Sequence, residues 1–194
     1  QQIFMYDSIR DTIGVALLKL GLSINTRDEA DIKAAETALI EQKPLVQAYV
    51  IDQVRDKMIN GEAAAAMLYS GDLLYIQDTA KEQGSEFDLE YVLPEEGPSY
   101  WIDCWVTPAN AEHKENAEKW INFLCRPDIA KKNFEYITYA TPNKGAFELL
   151  DEELQNNKAV FPDIESLKNC EVFEYMGDEV DSVYNDLWKE VKAN

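Results

Sequence analysis

A single histidine, His113, is the first scarcity of this 194-residue sequence. It lies in the polar stretch Glu112-His113-Lys114-Glu115, which reads as exposed. One imidazole in that setting leaves little from which to build a Ser-His-Asp triad or a histidine metal centre. Cysteine is also scarce. Cys104, Cys125 and Cys170 match no zinc spacing, and an odd number implies no disulfide framework. Neither a glycine-rich phosphate loop nor a G-x-S-x-G elbow is present. Basic residues are few: 18 Lys and Arg stand against 37 Asp and Glu, for a net charge of −19. That balance argues against nucleic acid and anionic membrane surfaces, which are bound by neutralising phosphate. It suits a partner that is a cation, or simply a solvated acidic surface. No apolar run approaches the length of a membrane span.

What is present is a hydrophobic fraction of 46%, enough for a substantial core in one large domain or two small ones. The chain opens directly on Gln1-Gln2-Ile3-Phe4-Met5-Tyr6, an apolar strand over residues 2–6 that reads as an element inside a longer chain. A helix follows, capped by Asp7 or Ser8 and ended by Gly21, with Ile13, Ala16, Leu17 and Leu20 at helical spacing. Asp7, Ser8 and Asp11 occupy its first turn, where the helix dipole favours negative charge. That junction is the edge at which open α/β sheets place ligands. Capping accounts for Asp7 or Ser8 and leaves Asp11 less well explained.

Thr26 with Glu29 reads as a capping box for a helix running to Lys43. Strands are expected at 45–51, 62–69 and 86–93, with helices at 52–60 and 72–83 between them. Tyr69-Ser70-Gly71-Asp72 again puts an aromatic at a strand-to-helix junction. Further helices are expected at 114–124, with Ala117, Trp120, Ile121 and Leu124 on one face, and from Pro127 to Tyr136. Residues 138–143 read as a loop, and short helices follow near 144–150 and 163–169. The last helix, 178–191, turns Val180, Val183, Tyr184, Leu187 and Trp188 inward. Alternating strands and helices argue for an α/β fold with a mostly helical remainder.

The stretch Glu95 to Pro108 is expected to organise the molecule. As a strand it places Ile102, Cys104 and Val106 on a core face and Trp101, Asp103 and Trp105 on the other. A carboxylate between two indoles suits a small organic cation, since aromatic faces attract cations by roughly 0.5–2 kcal/mol each. On the residues alone a second reading stands beside it, with the rings in the core and Asp103 capping a helix or pairing with an arginine.

Several segments, in order, resemble the spermidine/putrescine-binding proteins of polyamine ABC transporters, which are type II periplasmic-binding-protein-like. They are Met5 to Asp11 leading to Ala16 to Gly21, then Glu95-Glu96-Gly97, Trp101-Ile102-Asp103 and Pro108 to Ala111. Asn122 to Asp128, Tyr139-Ala140-Thr141-Pro142-Asn143 and Phe161-Pro162-Asp163 complete them. The resemblance covers essentially the whole chain and the C-terminal portion of the family.

It implies a polyamine cleft between two α/β lobes. Trp101 looks like the ring that packs on the ligand's methylenes, Asp103 like the carboxylate that takes an amine, and Tyr139 like a cleft-lining aromatic. Asp11 stands where the family commonly has Glu, Ser8 where some members have Asp, and Tyr69 where some have Trp. Phe173 falls near a position that some members fill with a polar side chain. The resemblance further implies that residues 1–103 and 144–194 form the second lobe. Residues 104–143 would then belong to an N-terminal lobe lying outside this sequence, and would seek cover on another copy or a swapped partner. The expected function is capture of spermidine or putrescine outside the cytoplasmic membrane for import by permease subunits. No enzyme activity, cofactor, metal or nucleic acid is expected. The alternatives are a different small cationic solute, a metal ion, a hydrolase using Asp11 and Asp103 as an acid/base pair, or an interaction domain without a small ligand.

Overall fold

Three consecutive residues with almost no exposure, Phe4, Met5 and Tyr6, make the first strand a fully buried one. Such near-continuous apolar strands are typical of parallel sheets covered by helices on both faces. The computed structural model describes residues 2–85 and 89–194. Strand β1 (Ile3–Tyr6) is central in a parallel three-stranded sheet of order β2-β1-β3, with β2 at Val46–Val50 and β3 at Ala65–Ala66. In register, Met5 faces Tyr49 and Tyr6 faces Val50, while Phe4 faces Ala66 on the other side.

Helices α1 (Ile9–Lys19), α2 (Glu29–Gln42) and α9 (Asp178–Ala193) share one core of Ile13, Leu17, Ile32, Leu39, Tyr184 and Trp188, against which Tyr49 packs. Helices α3 (Gln53–Ile59) and α4 (Ser70–Glu82) share a second core with Phe4 and Tyr6, against which Ala48 and Val50 pack. Alternate β2 side chains thus feed different cores, as the period of two requires. The third cluster gathers Phe134 of α6 (Pro127–Ile137) with Leu150, Val160, Phe161 and Phe147 against Leu74 of α4. Helix α6 closely approaches α7 (Lys144–Phe147): a Cβ on Gly145 would stand 2.8 Å from the Pro127 ring. Helix α5 (Lys114–Leu124) contributes no buried residue. Short helix α8 spans Glu152–Gln155, and β4 (Ser99–Tyr100) pairs in parallel with β5 (Glu171–Val172).

Arg10 ties the C-terminal segment to α1. Its guanidinium donates to the Ile24 carbonyl at 3.1 Å, to Asn25 Oδ1 at 3.0 Å and to the Glu174 carbonyl at 3.3 Å. It lies over the rings of Phe173 and Tyr184, 4.8 and 5.3 Å from their centroids. Phe173 therefore packs beneath a cation and beside Gly14.

The structure corrects several expectations. The strand foreseen through residues 99–107 ends at Tyr100. Ile102 and Val106 of its expected core face are 63% and 80% exposed, and Cys104 is exposed as well. A strand needs a neighbouring edge for its backbone groups, and among the described residues none lies along 101–107. The strand expected at 62–69 shortens to two residues in its alanine run, in keeping with alanine's poor strand propensity. Of the strand expected at 86–93, residues 86–88 lie outside the described residues and 89–93 form no strand. Asp28, not Thr26, caps α2 by accepting from Ala30 N. Thr26 Oγ1 instead accepts from Asp28 N at 3.2 Å and donates to Asp31 Oδ2 at 2.8 Å. The helix expected at 163–169 is a 3₁₀ turn at Ile164–Leu167, and α8 and β5 were not anticipated. No helix among the described residues is long and apolar enough to cross a membrane.

Leu17 is completely buried, whereas its neighbour Val15 is 38% exposed. Leu17→Ala is expected to destabilise the fold by about 2–5 kcal/mol in urea unfolding. Val15→Ala should stay within about 0.5 kcal/mol.

Candidate functional site

The C-terminal ends of β1 and β3 lead to the start of α1 and α4, and three sequence-expected residues, Ser8, Asp11 and Tyr69, come from these two junctions. Ser8 is the N-cap residue of α1, and its hydroxyl donates to Asp11 in the first turn. Tyr69, at the N-cap of α4, donates its hydroxyl to the same Asp11 Oδ2 at 3.2 Å. Two hydroxyls thus orient the Asp11 carboxylate, and no cation among the described residues pairs with it.

The rings form a continuous row. Tyr6 and Tyr69 have centroids 4.4 Å apart, Tyr69 and Trp101 5.0 Å, and Trp101 and Tyr139 6.3 Å. The last two contacts are edge-on, the favourable arrangement for ring quadrupoles. Trp101 is 36% exposed and presents the open side of the row. Tyr139 reaches the row because α6 ends in a left-handed turn at Thr138, φ 62°. Thr138 Oγ1 donates to the Gly71 carbonyl at 2.6 Å, which docks the loop on the head of α4. A Cβ on Gly71 would stand 2.4 Å from Tyr139 Cδ2, so the ring lies directly on backbone that only glycine leaves uncovered.

Asp103 is the sequence-expected residue that the structure does not bring into this network. It is exposed and has no hydrogen bond or ion pair among the described residues. The expected strand geometry would have aligned it with Trp101. The irregular course after Tyr100 leaves it free, so the capping and arginine-pairing reading of Asp103 does not describe this structure.

Sequence reasoning missed the group beneath the rings. Asp72, in the first turn of α4, is only 3% exposed. Its Oδ1 accepts from Arg55 Nε at 2.8 Å and lies 2.7 Å from Arg55 Nη2. The same oxygen accepts from the Tyr139 hydroxyl at 3.4 Å, and Oδ2 accepts from the Tyr6 hydroxyl at 3.0 Å. The Tyr6 oxygen in turn accepts from Tyr69 N at 2.5 Å. The only sequence signal was Asp72 standing just after an aromatic at a strand-to-helix junction. Nothing marked Arg55, seventeen positions earlier.

Burial, then the charge of Asp72, push the Tyr139 phenol up to about 12, with the Arg55 guanidinium opposing the shift. Burial and Asp72 also raise Tyr6, and burial with Asp11 raises Tyr69. Burial works against the Arg55 guanidinium, but the hydrogen bond and charge of Asp72 outweigh it and raise its pKa. The arrangement therefore keeps neutral aromatic faces beside Asp11, a carboxylate that has no basic partner, while Asp103 stands exposed two positions along the chain from Trp101. Such a surface can take amines end-on and methylenes against rings. The described residues contain no cluster of three or more His, Cys, Asp or Glu able to hold a metal ion.

A family model described as bacterial extracellular solute-binding protein matches residues 3–162. The spermidine/putrescine-binding periplasmic protein of Escherichia coli K12 is 38% identical over 191 residues, which is 98% of this chain and 53% of that protein. A protein of Haemophilus influenzae described in the same terms is 32% identical over 192 residues, 99% of this chain and 51% of that protein. The chain thus spans about half the length of these curated relatives. Among solved structures, the spermidine/putrescine ABC transporter substrate-binding protein PotD of Streptococcus pneumoniae superposes with a TM-score of 0.85 at 32% identity, covering 99% of this chain and 58% of that one.

The raised phenols make a pH prediction. A phenol in the unfolded chain ionises near 10, whereas Tyr139 in the fold ionises near 12 and Tyr6 and Tyr69 are raised too. Above pH 10 the unfolded chain sheds protons that the folded one retains, so stability present below pH 10 is lost as pH climbs towards 12. The urea midpoint should fall over this interval, and Tyr139→Phe should make the fall shallower.

Proposed function

We propose, from the premise that the chain belongs to the bacterial extracellular solute-binding proteins, that it captures linear polyamines of the spermidine/putrescine class for an ABC-transporter permease. The observation that carries the reading is the row Tyr69, Trp101, Tyr139 with Asp11, a carboxylate without a basic partner, held at its Tyr69 end. In this reading Trp101 and Tyr139 pack on the methylene chain and Tyr69 closes the inner end. Asp11, held by Ser8, takes one amine and Asp103 takes the other. Asp103 would settle on its amine when ligand arrives, which suits its exposed position.

The names of the relatives, which speak of periplasmic proteins and an ABC transporter, support a location outside the cytoplasmic membrane and a permease as partner. The two-lobe division remains part of the proposal, with residues 1–103 and 144–194 in one lobe and 104–143 on the side of another. The bare surface of α5 and the exposed Ile102, Trp105 and Val106 support it. The packing of Phe134 with Leu150 and Val160 shows that α6 also leans on the first of these.

The magnitudes are coherent. Two charge-assisted contacts of roughly 1.5–3 kcal/mol each and ring contacts of roughly 0.5–2 kcal/mol each oppose the cost of freezing a flexible ligand. A net value near −8 kcal/mol, about micromolar, is expected for a complete cleft. Calorimetric titration of spermidine and putrescine into the full gene product, with the 194-residue chain alongside, tests this. Micromolar binding supports the assignment; a folded protein giving no heat with either amine overturns it. Asp103→Asn should weaken binding at least about tenfold, the loss of one charge-assisted contact. Unchanged affinity would remove Asp103 from the site.

A further inference from the structure

We infer that Asp72 is a positioning residue for the aromatic row, holding Tyr139 and, through Tyr6, the backbone of Tyr69 in place from beneath, with Arg55 balancing its charge. The inference rests on the polyamine reading for what the row binds, but not for how the row is held.

The first ground is that Asp72 is closed to a ligand, with both oxygens engaged by the protein and only 3% of the residue exposed. Its Oδ1 is taken by Arg55 and Tyr139 and its Oδ2 by Tyr6, and the side chain is almost wholly buried. Asp11 and Asp103 differ in this respect, since neither has a basic partner. The second ground is that the partners of Asp72 are the supports of the row. Tyr139 is the outer ring beyond Trp101, and its hydroxyl is fixed by Asp72 while its face rests on Gly71. Tyr6 donates to Asp72 and accepts from the Tyr69 backbone, and its ring packs on that of Tyr69 at 4.4 Å. Both ends of the Tyr69–Trp101–Tyr139 row are therefore referred to one carboxylate.

The third ground is electrostatic. A free carboxylate at this depth would be costly to bury and would attract a ligand amine away from the ring faces. Arg55 removes that field with contacts of 2.7 and 2.8 Å. Its side chain is 33% exposed, so it can be hydrated when Asp72 is removed. The same guanidinium lies 5.6 Å from the Tyr75 ring centroid and 3.9 Å from Asp52 Oδ1, which hold it when Asp72 is changed.

The test is a double-mutant cycle in the full gene product using Asp72→Ala, Tyr139→Phe and both together, with Asp72→Asn as the variant that keeps an acceptor. Spermidine affinity is read by calorimetry well below the thermal midpoint of each variant. Near-ultraviolet circular dichroism of the ligand-free protein reads the arrangement of the rings. Asp72→Ala is expected to weaken binding about tenfold, and the double variant no more than the worse single one, because the Tyr139 hydroxyl contact that Tyr139→Phe removes is already lost in Asp72→Ala. Asp72→Asn, whose amide oxygen can still accept from Tyr139 but whose amide nitrogen cannot accept from Tyr6, should restore part of the affinity and of the aromatic spectrum. Additive losses, or an Asp72→Ala protein that is less stable but binds as wild type, overturn the inference. If wild type gives no heat with spermidine, the polyamine reading fails and the spectrum still decides the inference. A near-ultraviolet signal reduced in Asp72→Ala and partly restored in Asp72→Asn supports positioning, whereas an unchanged one refutes it.

Discussion

A buried carboxylate has to be answered by donors, and at the head of α4 three side chains answer Asp72: Arg55, Tyr6 and Tyr139. Leaving one such group unpaired costs several kcal/mol after relaxation, so the three donors are constrained together rather than one at a time. They come from β1, from α3 and from the loop after α6. The carboxylate thereby joins the central strand, one layer of helices and the loop that completes the ring row. The two apolar cores could form without it, since their contacts lie along helix faces and strand sides. The relation between the sheet and residues 138–139 depends on it much more directly.

This division explains what was legible in the sequence. The first core follows from helical periodicity in α1 and α9, and Tyr184, Leu187 and Trp188 are buried as their spacing predicts. Val183, counted with them, is 37% exposed because it stands at the edge of that stripe. The β1–α1 and β3–α4 junctions were legible for the same reason, and with them the neighbourhood of Ser8, Asp11 and Tyr69. Trp101 was singled out by period-two alternation and by resemblance, and Tyr139 through resemblance. The structure puts both in the ring row by way of contacts between residues far apart in sequence. Periodicity failed at 101–107, where alternation was present but no edge was available to pair with it. It could not reach the Asp72–Arg55 pair, because a single ion pair leaves no pattern along the chain.

Local rules were overridden where a better donor arrangement existed. The Thr26–Glu29 spacing satisfies the capping-box pattern, yet Asp28 immediately precedes the helix and takes the Ala30 amide in its first turn. Thr26 is then used to brace Asp28 N and Asp31. Phe173 stands where a polar ligand contact was conceivable and instead forms half of an aromatic sandwich on Arg10. That arginine is committed to three backbone and side-chain oxygens.

The pairing of charges bears on which cation the proposed cleft would prefer. Two carboxylates contact the ring residues, Asp72 and Asp11, and Arg55 cancels the first, leaving Asp11 uncompensated, with the exposed Asp103 as the second amine partner on the proposed reading. A linear diamine carries two charges, and on the proposed reading it matches those two carboxylates without remainder. The Ser8 hydroxyl orients Asp11 without adding charge. A triamine would bring one ammonium more than the described carboxylates can meet, and would need a further acceptor or exposure to water for it. The overall charge of −19 does not alter this comparison, because at physiological salt its field is screened beyond about 8 Å. It raises the encounter rate of any cation with the surface, while on the proposed reading the choice among cations falls to the unpaired carboxylates of the site.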